Sequence, residues 1–202
     1  RLDPSGDVDL YRFDAPAGAR ALIRVVGASW TRWDIFDPSG KFLAYSYGID
    51  RPPLLTVTGR YTIKISNYYN TVTDYKVVLQ GVSQGYRCGS TITYNETVTG
   101  NLPNDAELDI YHFTGLKNQV INIRIAGSSW SRWDLHDPTG EWIKYSYDEG
   151  QVTLSSDGVY TIVVWNYYGN TGNYTLSLHQ LAGPAPSVAM AGHKANALER
   201  GE

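Results

Sequence analysis

The chain has almost no cysteine, few charged side chains and no long apolar run. Cys88 is the single cysteine among 202 residues, which excludes an intramolecular disulfide framework and a cysteine-based zinc site. Lysine and arginine number 17 against 20 aspartate and glutamate residues, so there is no basic footprint for nucleic acid. No apolar run approaches the roughly 20 residues that span a membrane, and no transmembrane segment is predicted.

Aromatic residues and glycine are abundant instead. The sequence holds 16 tyrosines, 6 tryptophans and 20 glycines, and 42% of it is hydrophobic. That hydrophobic fraction is too high for a disordered chain. The bias towards tyrosine, tryptophan and glycine favours β-structure with many turns. It also fits a surface that meets other molecules outside the cell, so an extracellular or cell-surface location is expected.

The sequence is an internal repeat. The pattern Trp-x-Arg-Trp-Asp at residues 30–34 recurs at 130–134, and Asp-Pro-Ser-Gly at 37–40 recurs as Asp-Pro-Thr-Gly at 137–140, all offset by 100. Later matches, such as Asn-Tyr-Tyr at 67–69 and 166–168, are offset by 99. The chain therefore contains two copies of one domain, and the second copy lacks one residue.

Each copy has the pattern of an all-β domain. Tyr61, Ile63 and Ile65 alternate with more polar residues, as do residues 160–164 in the second copy, and this period of two is typical of strands. The Asp-Pro-Ser-Gly segment predicts a turn, because proline presets φ at the second position. Seven or eight short strands in about 90 residues predict an antiparallel, jelly-roll-like β-sandwich.

These patterns set the predicted boundaries. A first sandwich is expected over residues 1–82, a linker over 83–90, a second sandwich over 91–182 and a tail over 183–202. Residues 91–102 form a strand-like lead-in to the second copy. Leu2 aligns with Leu102, so the first copy is predicted to lack its first strand.

Several segments of both copies resemble one bacterial family. The residues are Gly-Asp-Val-Asp-Leu-Tyr-Arg-Phe at 6–13, the turn at 37–40, Gly-Arg-Tyr-Thr-Ile at 59–63 and Tyr-Lys-Val-Val-Leu at 75–79, with counterparts at 108–113, 157–162 and 172–176. They resemble the pre-peptidase C-terminal domain, here in tandem. The resemblance implies a jelly-roll-like sandwich in a secreted protein, usually a non-catalytic appendage to an enzyme, with relatives that bind polymers and calcium. The chain departs from the family at Trp-x-Arg-Trp, which suggests a local specialisation.

The aromatic segments have two interpretations. One is a packed Trp-Arg-Asp cluster that locks strands together, in which an indole of the motif stacks on a motif arginine. The other is an interface or a stacking platform for sugar rings. The candidate residues are Trp30, Arg32, Trp33, Tyr68 and Tyr69 with Trp130, Arg132, Trp133, Tyr167 and Tyr168. Tyr45, Tyr47 and their repeats could extend such a platform, or they could simply cover the ends of the sandwich.

Catalysis and metal binding have little support. The four histidines are not spaced as metal ligands. The sequence also contains no hydrolase, phosphate-loop or dinucleotide-binding motif. Two interpretations stay open for Cys88, a catalytic nucleophile and an incidental thiol. No cofactor is expected apart from calcium. Calcium is the exception because Asp7, Asp9 and Asp109 could hold a hard cation with their oxygens. The alternative is that these carboxylates accept hydrogen bonds from backbone amides.

The tail suggests an assembly. Residues 195–202 followed by 1–9 read as one domain entry of the family, as if the chain continued head to tail. Val188, Met190 and Leu198 would then fill apolar positions in the incomplete first sandwich of a neighbouring copy. The alternatives are that the tail folds back on its own repeat, or that the first repeat starts late. The leading hypothesis is a non-catalytic filament or adhesive protein whose partners are copies of itself, and the rival is a polymer-binding module of a secreted hydrolase.

Overall fold

The computed structural model describes residues 1–3, 6–49 and 51–184, and every regular element within them is a β-strand. In this part of the chain there is no helix with the length and hydrophobicity to cross a membrane. The prediction of an all-β, antiparallel fold is confirmed.

The N-terminal repeat, residues 1–82, supplies seven strands. The central ones combine β-branched and aromatic residues on one face, as a half-buried strand requires. The strands form a four-stranded sheet in the order β1-β6-β3-β4 and a three-stranded sheet in the order β5-β2-β7. Their bounds are β1 Val8–Ala15, β2 Ala19–Gly27, β3 Thr31–Phe36, β4 Phe42–Ser46, β5 Leu54–Leu55, β6 Gly59–Asn67 and β7 Tyr75–Gly81.

The C-terminal repeat has the same plan with two further strands at its start. Its sheets have the orders β13-β12-β15-β10-β8 and β14-β11-β16-β9. All pairs are antiparallel except the short pairing of β8 with β10. The bounds are β8 Ser90–Thr91, β9 Glu96–Leu102, β10 Asp109–Gly115, β11 Val120–Gly127, β12 Ser131–His136, β13 Trp142–Ser146, β14 Glu149–Thr153, β15 Gly158–Asn166 and β16 Gly172–Ala182.

A separate apolar core lies in each repeat. In the N-terminal repeat Trp33, Tyr61 and Ile63 of one sheet pack with Ile23 of the other. The C-terminal core is built from the corresponding residues and is larger. The predicted turn at 37–40 is confirmed: the N–H of Gly40 donates to the carbonyl of Asp37 at 2.9 Å.

One strand is buried on both faces. In β6 buried and half-buried residues alternate, but in β15 every residue from Tyr160 to Asn166 is buried. The reason is contact with the other repeat, because Val163 and Trp165 on the outer face pack with Leu22 and Val82 of the N-terminal half. The repeats are therefore not identical in their surroundings.

A buried arginine strengthens this junction. Arg24 of β2 is 4% exposed, and its guanidinium donates hydrogen bonds to three backbone carbonyls of the C-terminal half, those of Asp105, Glu107 and Asn166, at 2.5, 3.2 and 3.0 Å. Burial lowers the pKa of Arg24 to about 10, so the group stays charged at neutral pH. The junction is held by polar as well as apolar contacts.

The repeats also differ at the edge of the smaller N-terminal sheet, which β7 forms. In the C-terminal repeat β16 pairs with β11 on one side and with β9 on the other. Within residues 1–3, 6–49 and 51–184, β7 pairs along its length with β2 only. Leu2 forms an isolated bridge to Thr73, just before β7. The corresponding pair in the C-terminal repeat is Leu102 of β9 with Gly172 of β16.

Candidate functional site

The tryptophan that opens each Trp-x-Arg-Trp motif has a backbone conformation that large side chains rarely adopt. Trp30 immediately precedes β3 and has φ of 70°, and Trp130 immediately precedes β12 and has φ of 68°. For a bulky residue this left-handed region costs roughly 1–3 kcal/mol, so it persists only where the surroundings impose it. Since the same conformation occurs in both repeats, the turn directs these two indoles in the same way.

A buried asparagine holds each of these turns in place. The side-chain amide of Asn67 donates to the carbonyl of Ser29 at 3.0 Å, and its Oδ1 accepts the N–H of Tyr69 at 3.0 Å. Asn166 makes the equivalent bonds in the C-terminal repeat, at 2.8 and 3.1 Å. Each asparagine thus ties the loop before the tryptophan to the turn that carries two tyrosines.

Four exposed tyrosine rings gather around each of these tryptophans. Trp30 is 49% exposed, and its ring lies edge-on to Tyr47 and Tyr69, with centroids 5.5 Å away in both cases. Trp130, 51% exposed, repeats the arrangement at 5.6 and 5.0 Å. The N-terminal platform is Trp30, Tyr45, Tyr47, Tyr68 and Tyr69, and the C-terminal platform is Trp130, Tyr145, Tyr147, Tyr167 and Tyr168.

The second tryptophan of each motif lies elsewhere. Trp33 is 1% exposed and Trp133 is fully buried, and each donates its Nε1–H to a backbone carbonyl at 3.0 Å, that of Gly48 or Asp148. For these two residues the packed-core interpretation applies. They are core residues and not part of an accessible surface, which corrects their inclusion in the candidate site.

The motif arginines pack on tyrosines. Arg32 lies 4.4 Å from the ring centroid of Tyr45 and pairs with Asp34, and these hydrogen bonds to Asp34 raise the pKa of Arg32. Arg132 lies 4.0 Å from the ring of Tyr145 and pairs with its own aspartate. Among the described residues no motif indole lies over a motif arginine, so the prediction of stacking within the motif is wrong.

A groove connects the two platforms across the junction. It has a volume of about 430 Å³, and its walls include Trp30 and Tyr47 of the N-terminal platform and Tyr167 of the C-terminal one. Ile49 and Trp165 also line it. The two platforms therefore border one groove.

A smaller cavity of about 280 Å³ lies beside this groove. The N-terminal repeat contributes Leu22, Ile49 and Arg51, and the C-terminal repeat contributes the other seven lining residues, among them Trp142 and His136. Tyr145 and Tyr167 of the C-terminal platform are in the wall as well. The platform thus continues into the cavity.

A single carboxylate organises the rings of this cavity. Asp134 is 4% exposed and accepts hydrogen bonds from the guanidinium of Arg132, from Nε1–H of Trp142 at 3.0 Å and from Nε1–H of Trp165. Because both indole N–H groups point at this carboxylate, the orientations of the two indoles are fixed.

One polar atom in the cavity wall has no hydrogen-bond partner among the described residues. His136 is 1% exposed, and its Nδ1 lies 3.1 Å from the carbonyl oxygen of Gly140. Burial lowers the pKa of His136, so the ring is neutral at pH 7. A carbonyl can only accept, so the proton is on Nδ1 and Nε2 is an acceptor. No described residue hydrogen-bonds this Nε2.

The duplicated motifs do not reveal these cavity residues. His136, Trp142 and Trp165 stand at positions where the first repeat has Phe36, Phe42 and Ser66. The cavity is therefore built from residues in which the two repeats differ. Differences inside an otherwise duplicated motif would have indicated it.

The acidic residues proposed for calcium are engaged in hydrogen bonds. Asp9 accepts from the hydroxyl of Tyr75, and Asp109 accepts from that of Tyr174. Asp7 accepts the backbone N–H of Asp3 at 2.9 Å. The described residues include no group of three or more His, Cys, Asp or Glu side chains arranged to hold a metal ion. Calcium binding at these aspartates stays a prediction.

Two other predictions concern Cys88 and the tail. Cys88 is exposed, and its thiol donates to Oε1 of Gln80 at 2.6 Å. The choice between a nucleophile and an incidental thiol stays a prediction. Val188, Met190 and Leu198 lie outside the described residues, as does the tail beyond residue 184.

Comparison with known proteins gives structural likenesses only. No protein-family model matches the chain, and no curated protein matches it. Among solved structures, a periplasmic inhibitor of g-type lysozyme from Aeromonas hydrophila is 17% identical with a TM-score of 0.41, covering 46% of this chain and 96% of that one. The pre-peptidase C-terminal domain of collagenase from Bacillus anthracis is 23% identical with a TM-score of 0.40, covering 45% and 93%. Each match spans less than half of the chain, so a tandem of such domains stays a prediction.

Proposed function

We propose that the chain is a non-catalytic, extracellular adhesive module that binds a polysaccharide through its two aromatic platforms. The observation that carries the proposal is the duplicated set of exposed rings around Trp30 and Trp130, each of the ten at least 37% exposed. Exposed apolar patches on a folded surface mark interaction sites. Aromatic rings offer flat apolar faces with little conformational entropy to lose, which suits stacking on sugar rings.

The backbone supports this function over a purely structural one. A tryptophan in the left-handed region is costly, and Trp30 and Trp130 nevertheless leave about half of each side chain in solvent. The buried asparagines Asn67 and Asn166 hold the turns in this conformation. Strain that is maintained for a half-exposed aromatic ring supports a surface prepared for a ligand.

Retention of the protein on insoluble cellulose, chitin and xylan, measured with the intact chain, tests the proposal. Trp30→Ala and Trp130→Ala should each weaken retention about tenfold, and the double variant should abolish it, because each removes the centre of one platform. Tyr11→Ala is the matched control, since Tyr11 is 43% exposed but lies outside both platforms. Equal retention of the double variant and the wild type would refute the proposal, as would binding by neither to any polysaccharide.

A second candidate function is head-to-tail assembly into a filament, and the edge of β7 favours it. This edge lacks a continuous partner strand among the described residues, whereas β16 is covered by β9. Uncovered edges accept strands from other chains. In this proposal residues 183–202 of one copy cover β7 of the next.

Electron microscopy of negatively stained protein tests the assembly. Wild-type chains should form regular fibres, and chains truncated after Gly183 should not. A variant in which the same residues are replaced by a glycine-serine segment of equal length controls for chain length. Fibres from the truncated protein, or dispersed wild-type particles, would contradict strand donation.

A further inference from the structure

We infer that the cavity at the junction of the repeats is a subsite for one pyranose ring, in which Nε2 of His136 accepts a hydrogen bond from a sugar hydroxyl. The inference rests on the proposed polysaccharide function and names the subsite that would give it selectivity. Three features carry it, namely the unpartnered acceptor, the aromatic walls and the continuity with the C-terminal platform.

The acceptor is the first feature. Nε2 of His136 has no hydrogen-bond partner among the described residues, and the side chain that carries it is nearly buried. His136 lines the cavity, and a hydroxyl donor placed there would satisfy the atom. Sugars present such donors around the ring, whereas carboxylates and phosphates present acceptors.

The walls are the second feature. Trp142 is half-buried in the cavity wall, and its N–H is bound to Asp134, so its indole plane is fixed before a ligand arrives. The guanidinium of Arg51 lies 4.7 Å from the centre of that ring. At about 280 Å³ the cavity lies just below the usual range of ligand pockets, roughly 300 to 1,000 Å³. A ligand as small as a single sugar ring is therefore the one proposed.

Continuity is the third feature. Tyr145 lines the cavity and lies 5.7 Å from Tyr147 in the platform, which in turn lies 5.6 Å from Trp130. A chain of sugars stacked on the C-terminal platform could therefore place one of its rings in the cavity. The N-terminal repeat lacks this subsite, since Phe36 and Phe42 stand in place of His136 and Trp142.

Nitrogen NMR of the histidine rings in the intact chain tests the inference directly. Glucose, N-acetylglucosamine, galactose and xylose are titrated one at a time to tens of millimolar, with glucuronate as the anionic comparison. At least one neutral sugar should shift the Nε2 resonance of His136 in a saturable way, and Trp142→Ala should abolish the shift. If no neutral sugar moves this resonance, or if glucuronate alone does, the inference is wrong.

Three variants separate the subsite from the proposed function. His136→Phe copies the residue of the other repeat and should weaken binding of a soluble hexasaccharide about fivefold to tenfold, whereas His136→Gln retains an acceptor and should recover part of the loss. Trp130→Ala should reduce retention on the insoluble polymer but leave the response of His136 to a monosaccharide intact. Undiminished polymer retention in Trp130→Ala, with the monosaccharide response preserved, would refute the platform and keep the subsite. Wild-type hexasaccharide affinity in His136→Phe would refute the subsite alone.

Discussion

Arg24 gives a sharp test of how the two repeats are joined. Its guanidinium donates to the carbonyls of Asp105, Glu107 and Asn166 and lies 4.8 Å from the ring centre of Trp165. Replacement by methionine keeps an unbranched apolar stem but removes every donor. Buried acceptors left without a donor cost about 1–3 kcal/mol each, and the removal of a desolvated charge offsets part of that loss. We expect Arg24→Met to destabilise the protein by about 2 kcal/mol.

Arg124 is the matched control because it stands at the same position of the second repeat. It is exposed, and its ion pair with Asp148, at 3.6 Å, is exposed as well. Such surface pairs contribute little, so Arg124→Met should change the free energy of unfolding by less than about 0.5 kcal/mol.

Urea unfolding followed by tryptophan fluorescence measures both variants. The wild type and Arg124→Met should unfold in one transition, because the two repeats share a buried junction. Arg24→Met should unfold in two, since the junction is weakened while both cores remain. If Arg24→Met and Arg124→Met unfold at the same urea concentration and with the same shape, the role assigned to Arg24 is wrong.

Three further predictions concern single residues. Trp30→Gly should keep the free energy of unfolding within about 1 kcal/mol of the wild type in urea titrations, because relief of the left-handed conformation offsets the lost ring contacts; a loss several times larger would show that the indole is structural. Burial lowers the pKa of His136 in the folded protein, so protonation favours the unfolded chain. The contribution of His136 to the free energy of unfolding is therefore present above the unfolded pKa of about 6.5 and is lost as the pH falls below it. The stability difference between about pH 7 and pH 5 should therefore be smaller in His136→Phe, and an unchanged difference would contradict it. If calcium binds at Asp9 or Asp109, a chelator should lower the melting temperature, and identical melting curves would remove that prediction.

The sequence was sufficient for the fold because its signals are local. The alternation at Tyr61, Ile63 and Ile65 and the Asp-Pro turn at 37–40 depend on neighbouring residues, and both patterns occur twice. β15 shows the limit of this reasoning. Its outer face is covered by the other repeat, and alternation along one strand carries no information about a partner so distant in sequence.

The candidate site was predicted in part for the same reason. The exposed tyrosines and tryptophans were visible as duplicated residues, but Trp30 and Trp33 could not be separated by pattern alone. Trp30 is exposed and Trp33 is buried because the backbone at Trp30 is left-handed. The sequence does not predict this conformation, since bulky residues seldom adopt it. The cavity depends on contacts between the repeats, so Trp142 and His136 became visible only in three dimensions.

The junction between the repeats also sets the spacing of the two aromatic platforms. Because Arg24 and the apolar residues around Trp165 join the repeats, the distance between Trp30 and Trp130 is a fixed property of the molecule. Two sites at fixed spacing gain effective concentration only for a ligand whose own binding groups match that spacing. Under the proposed polysaccharide function, the two platforms would therefore select polymers by the repeat distance along their chains as well as by the chemistry of one sugar.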